Sequence, residues 1–138
     1  MNFLVDTNVL SEPRQKRPAP KVVSWLKANE SALYTSVLVV GEIRYGIELL
    51  SPNSAKRADL LRWHERLITI LAGRILSINA RVADEWARLQ GELHEKNLLM
   101  PVVDSLLAAT ARRYQLTLVT ANTRDFAMTG INLLNPFD

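Results

Sequence analysis

The sequence predicts an α/β fold, an α/β/α sandwich around a central parallel sheet of four to five strands. Three observations point there. Short apolar runs alternate with longer segments from one end of the chain to the other, the pattern of strand–helix–strand units. The longer segments place apolar residues every three to four positions, the helical period. Breakers such as Ser51-Pro52-Asn53-Ser54, Gly73 and Pro101 separate the segments. With 138 residues, the chain reads as a single domain over 1–138, long enough to bury a core without staples.

Leu4-Val5 is a short buried strand stopped by Asp6-Thr7-Asn8. Residues 12–21 hold three of the six prolines and four cations, an exposed loop. A short helix over Lys21–Asn29 turns Val22, Val23, Trp25 and Leu26 inward. Ala32–Thr35 is the second strand. From Val37 to Leu50 the period is helical, with Val39, Ile43, Ile47 and Leu50 as the stripe. A further helix runs from Ala55 to about Leu71, with Leu60, His64, Leu67, Ile68 and Leu71 on one face, and Gly73 stops it. Ile75–Ile78 is the third strand. Asn79 caps a helix over Ala80–Lys96 whose stripe is Val82, Trp86, Leu89 and Leu93. Pro101 opens the next helix, with Val103, Leu106, Leu107, Thr110, Ala111 and Tyr114 inward. Leu116–Thr120 is the fourth strand and Ile131–Leu134 a short fifth, ended by Pro136. Trp25, Trp63 and Trp86 read as core or interface residues rather than base-stacking platforms.

Composition narrows the chemistry. Hydrophobic residues make up 48% and charged residues 22%, as in folded globular chains and unlike disordered ones. The absence of cysteine excludes a disulfide framework, thiol catalysis and thiolate zinc sites. His64 and His94 are the only histidines and form no HExxH or HxH pattern, so a histidine-built zinc site is not expected. No Ser-His-Asp or GxSxG constellation is present. No apolar run approaches the ~18–20 residues that span a bilayer. Met1–Asp6 lacks the basic and apolar regions of a signal peptide. A cytoplasmic protein without membrane association is expected. The formal net charge of +3 permits a polyanionic partner.

Ligands of open α/β sheets bind at the carboxyl ends of the strands. Asp6 directly follows the first strand, Glu42 lies near the start of the helix after the second, and Asn122 and Asp125 follow the fourth. Asp104 lies on the first turn of the helix leading into the fourth strand. If that helix runs straight back, Asp104 sits at the opposite strand end, so this argument leaves it apart. Each acid also has a plain structural reading. Asp6 suits an Asx turn. Glu42, on a helix apolar nearly all round and so partly buried, suits an internal ion pair. Asp104 suits a helix-dipole partner. Three or four acids at one sheet end repel one another unless a divalent cation neutralises them. Oxygen-only donors favour Mg²⁺ or Mn²⁺ over zinc.

Four segments occur in order: Asp6-Thr-Asn-Val-Leu, Gly41-Glu42-Ile43-Arg44-Tyr45-Gly46, Pro101-Val-Val-Asp104-Ser-Leu-Leu-Ala-Ala-Thr-Ala and Leu118-Val-Thr120-Ala-Asn122-Thr-Arg-Asp125-Phe126. Together they resemble the motifs of the PIN domain, the fold of many small metal-dependent ribonucleases, over nearly the whole chain. Ser11-Glu12, the Pro- and Arg-rich loop and Leu134-Asn135-Pro136 resemble the VapC/FitB toxins of bacterial toxin–antitoxin pairs. The resemblance implies a PIN-like sandwich and brings Asp104 into the site. The chain departs from the pattern at Asn122, where many PIN domains carry aspartate; Asp125 either compensates or caps the short helix that follows.

What the resemblance implies is Mg²⁺- or Mn²⁺-dependent endoribonuclease activity. Asp6, Asp104 and Glu42 would hold the metal, with Asn122 and Asp125 completing the catalytic set and Thr7 and Thr120 supporting the ligands. Arg14, Lys16, Arg17 and Lys21 would bind RNA phosphates, with Arg112, Arg113 and Arg124 as further candidates; the loop cations also suit an ordinary solvated loop. The implied partners are RNA, a cognate antitoxin protein and a second copy in a homodimer. The Val37–Leu50 and 55–71 helices supply an antitoxin groove or else core. Two rival readings remain. A phosphatase acting through an aspartyl-phosphate would need an aspartate where Asn8 stands. A non-catalytic RNA- or partner-binding module would explain Asn122.

Overall fold

The computed structural model describes residues 1–138. Five parallel strands form one sheet: β1 (Phe3–Val5), β2 (Leu33–Ser36), β3 (Ile75–Leu76), β4 (Thr117–Val119) and β5 (Leu133–Leu134), in the order β3-β2-β1-β4-β5. Seven helices connect and flank them: α1 (Thr7–Leu10), α2 (Pro20–Ala28), α3 (Val37–Glu48), α4 (Ala55–Ile70), α5 (Ala80–Glu95), α6 (Val102–Tyr114) and α7 (Thr123–Phe126). Helix α3 packs on α4, and α5 on α6.

Strand β1 registers with both neighbours, Leu4 opposite Tyr34 on one side and Leu118 on the other. Leu4, Val5, Leu118 and Val119 are fully buried, as central parallel strands require. From β1 the chain moves outward to β2 and β3, then returns to the other side of β1 for β4 and β5. The order therefore reverses between β1 and β4, and open α/β sheets form their ligand crevice at such a reversal.

Local chemistry sets the helix starts. Ser36 Oγ accepts from the Leu38 amide (3.1 Å) to cap α3, and Asn79 Oδ1 accepts from the Val82 amide (3.0 Å) to cap α5. Gly73 adopts a φ of +82°, the left-handed conformation that glycine takes cheaply.

Several expectations change. Asp6-Thr7-Asn8 does not merely stop a strand; it opens α1. The loop at 12–21 is shorter than expected, because Glu12–Arg14 forms a 3₁₀ turn and Pro20 starts α2. The Glu12 carboxylate closes the remainder by accepting from the Ala19 amide (2.8 Å). Ile68 and Val103, expected inward, are exposed. Helix α6 instead buries the continuous run Leu107–Ala111 together with Ser105, since small residues let neighbouring elements approach from both sides. Of the tryptophans, Trp25 packs edge-on to Phe3 with ring centroids 4.9 Å apart. Trp86 is half-buried and donates to Ser105 Oγ (2.9 Å).

Arg57, on the first turn of α4, secures the far end of α3. Its Nη1 donates to the carbonyls of Ile47, Glu48 and Leu50 at 3.1, 3.2 and 3.2 Å, and Nη2 to Glu48 Oε2 at 2.8 Å. These carbonyls lie at or just past the end of α3, where the helix ladder runs out of amide donors. Arg57→Ala is expected to cost about 1–3 kcal/mol, with Arg57→Lys recovering only part because an ammonium lacks the fork. Urea denaturation checks this. Hydrogen bonds from Arg57 and Arg44 hold the Glu48 carboxyl below its usual range, so its contribution is present at neutral pH and fades as the pH falls through that lowered value.

Candidate functional site

Asp6 ends β1 and caps α1. Its amide still pairs with the Val119 carbonyl (2.9 Å), continuing the β1–β4 ladder. Its Oδ1 accepts from the Thr7 amide (2.8 Å) and its Oδ2 from the Thr120 hydroxyl (2.8 Å). Asn8 Nδ2 lies 3.4 Å from both Asp6 Oδ2 and Thr120 Oγ1, and Asn8 Oδ1 accepts from the Ala121 amide (3.0 Å). The Thr120 hydroxyl also accepts from the Asn122 amide (3.1 Å). A carboxylate that is only 8% exposed thus gains the donors it needs. The ends of β1 and β4 are joined at the switch point in the process.

Asp104 faces the same edge. A helix returning antiparallel to the strands begins where the strands end, so the first turn of α6 lies beside the ends of β1 and β4. The expectation that placed Asp104 at the opposite edge had the helix direction reversed. Burial, and then the charges of Asp6 and Asp125, push the Asp104 carboxyl above its usual range. The turn carrying it is braced from within: Ser105 Oγ donates to the Val102 carbonyl (2.7 Å) and accepts from Trp86 Nε1.

Glu42, on α3, completes the group. It is exposed, not sunk in an apolar helix, and it makes no ion pair with an arginine; Tyr45 on α3 and Leu49 just after it are exposed as well. Lost hydration at the cleft wall, then the charges of Asp6 and Asp104, raise its pKa. Thr7 Oγ1 is buried with no partner at hydrogen-bond distance, yet it lies near enough to Glu42 to favour the charged form slightly. Asp125 is exposed in the first turn of α7. Asn122 precedes that helix and its side chain makes no capping bond.

The expected cations divide. Arg14 pairs with Asp59, and Lys21 donates to the Asp138 carbonyl. Lys16 and Arg17 are exposed. Arg112 is committed to Glu85 and Glu92 on α5 (3.0 and 2.6 Å). Arg113 lies over the Tyr114 ring. Arg124 is exposed on α7. Asn8, Ser105 and Trp86 were not singled out as site residues. Asn8 stood beside Asp6 in sequence, but its bond to residue 121 is visible only once β1 and β4 are paired.

No three of these acids converge into a ready-made coordination shell, as like charges without a counterion prefer. The donor chemistry nonetheless suits a hard divalent cation. It consists of carboxylate oxygens with raised pKa values, without competing ion pairs, beside an unpartnered buried hydroxyl. No helix is long and apolar enough to cross a membrane.

The fold and this constellation define an α/β protein with an acidic site at its topological switch point. The profile of the PIN domain matches residues 3–131, and the chain belongs to that family. It is 33% identical over 139 residues to plasmid stability protein StbB of Pseudomonas syringae pv. tomato, covering 99% of each chain. It is 32% identical over 136 residues to toxin FitB of Neisseria gonorrhoeae, covering 98% of each. It is 26% identical over 137 residues to VapC ribonuclease Y4jK of Sinorhizobium fredii, covering 99% of this chain and 98% of the other. The crystal structure of FitAcB from N. gonorrhoeae superposes with a TM-score of 0.90 at 33% identity, covering 98% of each chain.

Raised carboxylate pKa values mean that the folded chain takes up protons more readily than the unfolded one. Metal-free stability therefore increases as the pH falls toward their titration. Asp104→Asn and Glu42→Gln are each expected to raise Tm in EDTA at neutral pH. The rise should be roughly 1–3 °C, small because both carboxylates keep contact with water. Thermal melts followed by circular dichroism test this, and a lowered Tm would contradict it.

Proposed function

We propose that the chain, read as one PIN domain over 1–138, is a cytoplasmic endoribonuclease and the toxin of a toxin–antitoxin pair. The observation that carries this reading is the presence of Asp6, Glu42, Asp104 and Asp125 along one edge at the β1/β4 switch point, where lost hydration and then the charges of their acidic neighbours raise the pKa values of Glu42 and Asp104. The ribonuclease and toxin names of the relatives support it.

In this proposal Asp6, Asp104 and Glu42 hold Mg²⁺ or Mn²⁺, and Asn122 and Asp125 complete the catalytic set. When bound, such an ion supplies charge neutralisation at the scissile phosphate and lowers the pKa of the attacking water. Asp6 is preset for this task, because Thr7, Thr120 and Asn8 fix its orientation before any ligand arrives. Glu42 would ligate the ion directly or through water, or orient the attacking water. Asn122 contributes an uncharged amide, so negative charge on the β4 side comes from Asp125. Arg14, Lys16, Arg17 and Lys21 engage phosphates along the RNA, offsetting the repulsion of the acids. A cognate antitoxin blocks this edge in the resting complex, and the toxin pairs with a second copy as a homodimer.

Cleavage of purified total RNA with Mg²⁺, Mn²⁺ or EDTA tests the proposal. Wild type is expected to cleave only with metal, and Asp104→Asn to lose about 100-fold or more in rate. Equal cleavage by both would remove Asp104 from the site. RNA binding without cleavage under any metal would favour a non-catalytic binding module, the reading that Asn122 best supports.

A further inference from the structure

Next to the acids the surface folds into a cleft of about 620 Å³ between α1 and its following 3₁₀ turn, α3 and α4. That size lies within the roughly 300–1,000 Å³ typical of ligand clefts. Thr7 and Glu42 are among its lining residues, so the cleft shares a wall with the acidic edge. Arg14, Lys16 and Lys56 also line it, three cations against the single carboxylate of Glu42. Arg14 is paired with Asp59, while Lys16 and Lys56 take part in none of the molecule's ion pairs. Leu60 and Trp63 give it an apolar wall. Trp63 is half-buried and packs against the core, so presenting its ring costs little further ordering.

We propose that this cleft is a nucleotide subsite that seats the residue flanking the scissile phosphate, with Lys56 and Lys16 on its phosphate and Trp63 against its base. The proposal rests on the ribonuclease reading above and adds a recognition element, Lys56 and Trp63, that neither lies in the acidic motifs nor belongs to the cationic loop. Three features favour an RNA strand over a protein segment. The cleft is net positive, complementary to a polyanion. It includes Glu42 in its wall, so a strand with one phosphate at the acids is placed to run on into it. Its combination of free ammoniums with an aromatic wall is that of single-strand subsites, where a base stacks and a cation holds the backbone.

Gly46 supplies a clean test. It lines the cleft, and a Cβ added there meets nothing within 4 Å. Replacing a glycine inside a helix also favours the helix, so Gly46→Leu should fill the cleft without unfolding the chain. Binding of a short mixed-sequence single-stranded RNA is measured by fluorescence anisotropy across a range of KCl, in the Asp104→Asn background. Gly46→Leu is expected to weaken binding about tenfold with no loss of Tm, and Trp63→Leu by about fivefold or more, with Trp63→Phe retaining most of the affinity. Lys56→Ala should lower the slope of log K against log salt by about 0.7, the loss of one phosphate contact. In the chain with Asp104 intact, Gly46→Leu and Trp63→Leu should weaken the nucleotide preference beside the cut in total RNA. If wild type cleaves RNA while these variants keep its affinity, salt slope and cut sites, the subsite is refuted and the ribonuclease reading stands. If Gly46→Leu leaves RNA binding intact but abolishes inhibition by a partner protein, the occupant is protein and the subsite is again refuted. If wild type neither binds nor cleaves RNA, both fall together.

Discussion

The position of β1 between β2 and β4 is the constraint on which the rest of the structure depends. It creates the switch point and buries the strand ends, forcing the polar groups there to satisfy one another. The Thr120 hydroxyl answers Asp6 across that boundary at 2.8 Å, and Asn8 continues the link to the Ala121 amide. With Asp6 held in this way, the other acids are brought to it by helix geometry alone. Helix α3 leaves the end of β2 and carries Glu42; α6 returns antiparallel and carries Asp104; α7 follows β4 and carries Asp125.

This arrangement sets stability against chemistry. Lost hydration, and then the like charges gathered on one edge, raise the pKa values of Glu42 and Asp104, which is unfavourable at neutral pH unless a cation arrives. The surrounding structure offsets that cost with interactions the site itself does not use. Arg57 secures the far end of α3, and the Ser105–Trp86 contact braces the turn under Asp104. Helices α5 and α6 are tied by Arg112 to Glu85 and Glu92. A strained acidic edge on a well-secured scaffold is the expected design of a preorganised ion site.

Much of this was legible in the sequence. The alternation of strands and helices, the cap at Asn79, the turn at Gly73 just past the end of α4, and the placement of Asp6, Glu42 and Asp125 follow from period and position. The errors have physical causes. Asp104 was set apart because the direction of a returning helix was misjudged, although topology alone fixes it. An apolar-rich helix suggests enclosure, so partial burial is expected of Glu42; α3 and the residue after it instead turn Tyr45 and Leu49 to solvent. The short helix α1 was invisible because a residue capping a helix and one ending a strand share the same Asp-Thr-Asn signature. The cationic loop looked uniform in sequence, yet Arg14 and Lys16 line the cleft while Arg17 does not. Lys56 and Trp63 join them only through the packing of α4 against α3, which no local pattern encodes.

A divalent-cation site organised by Asp6 at the switch point has a direct physical signature. Titration of Mn²⁺ into the purified chain, followed by electron paramagnetic resonance, tests it directly when wild type is compared with Asp6→Asn. Asparagine keeps the helix cap and the shape of the side chain while removing its charge. Wild type is expected to bind saturably, and the variant about tenfold or more weakly at unchanged folding. Equal affinity in the two proteins, or no saturable binding by wild type, would contradict it.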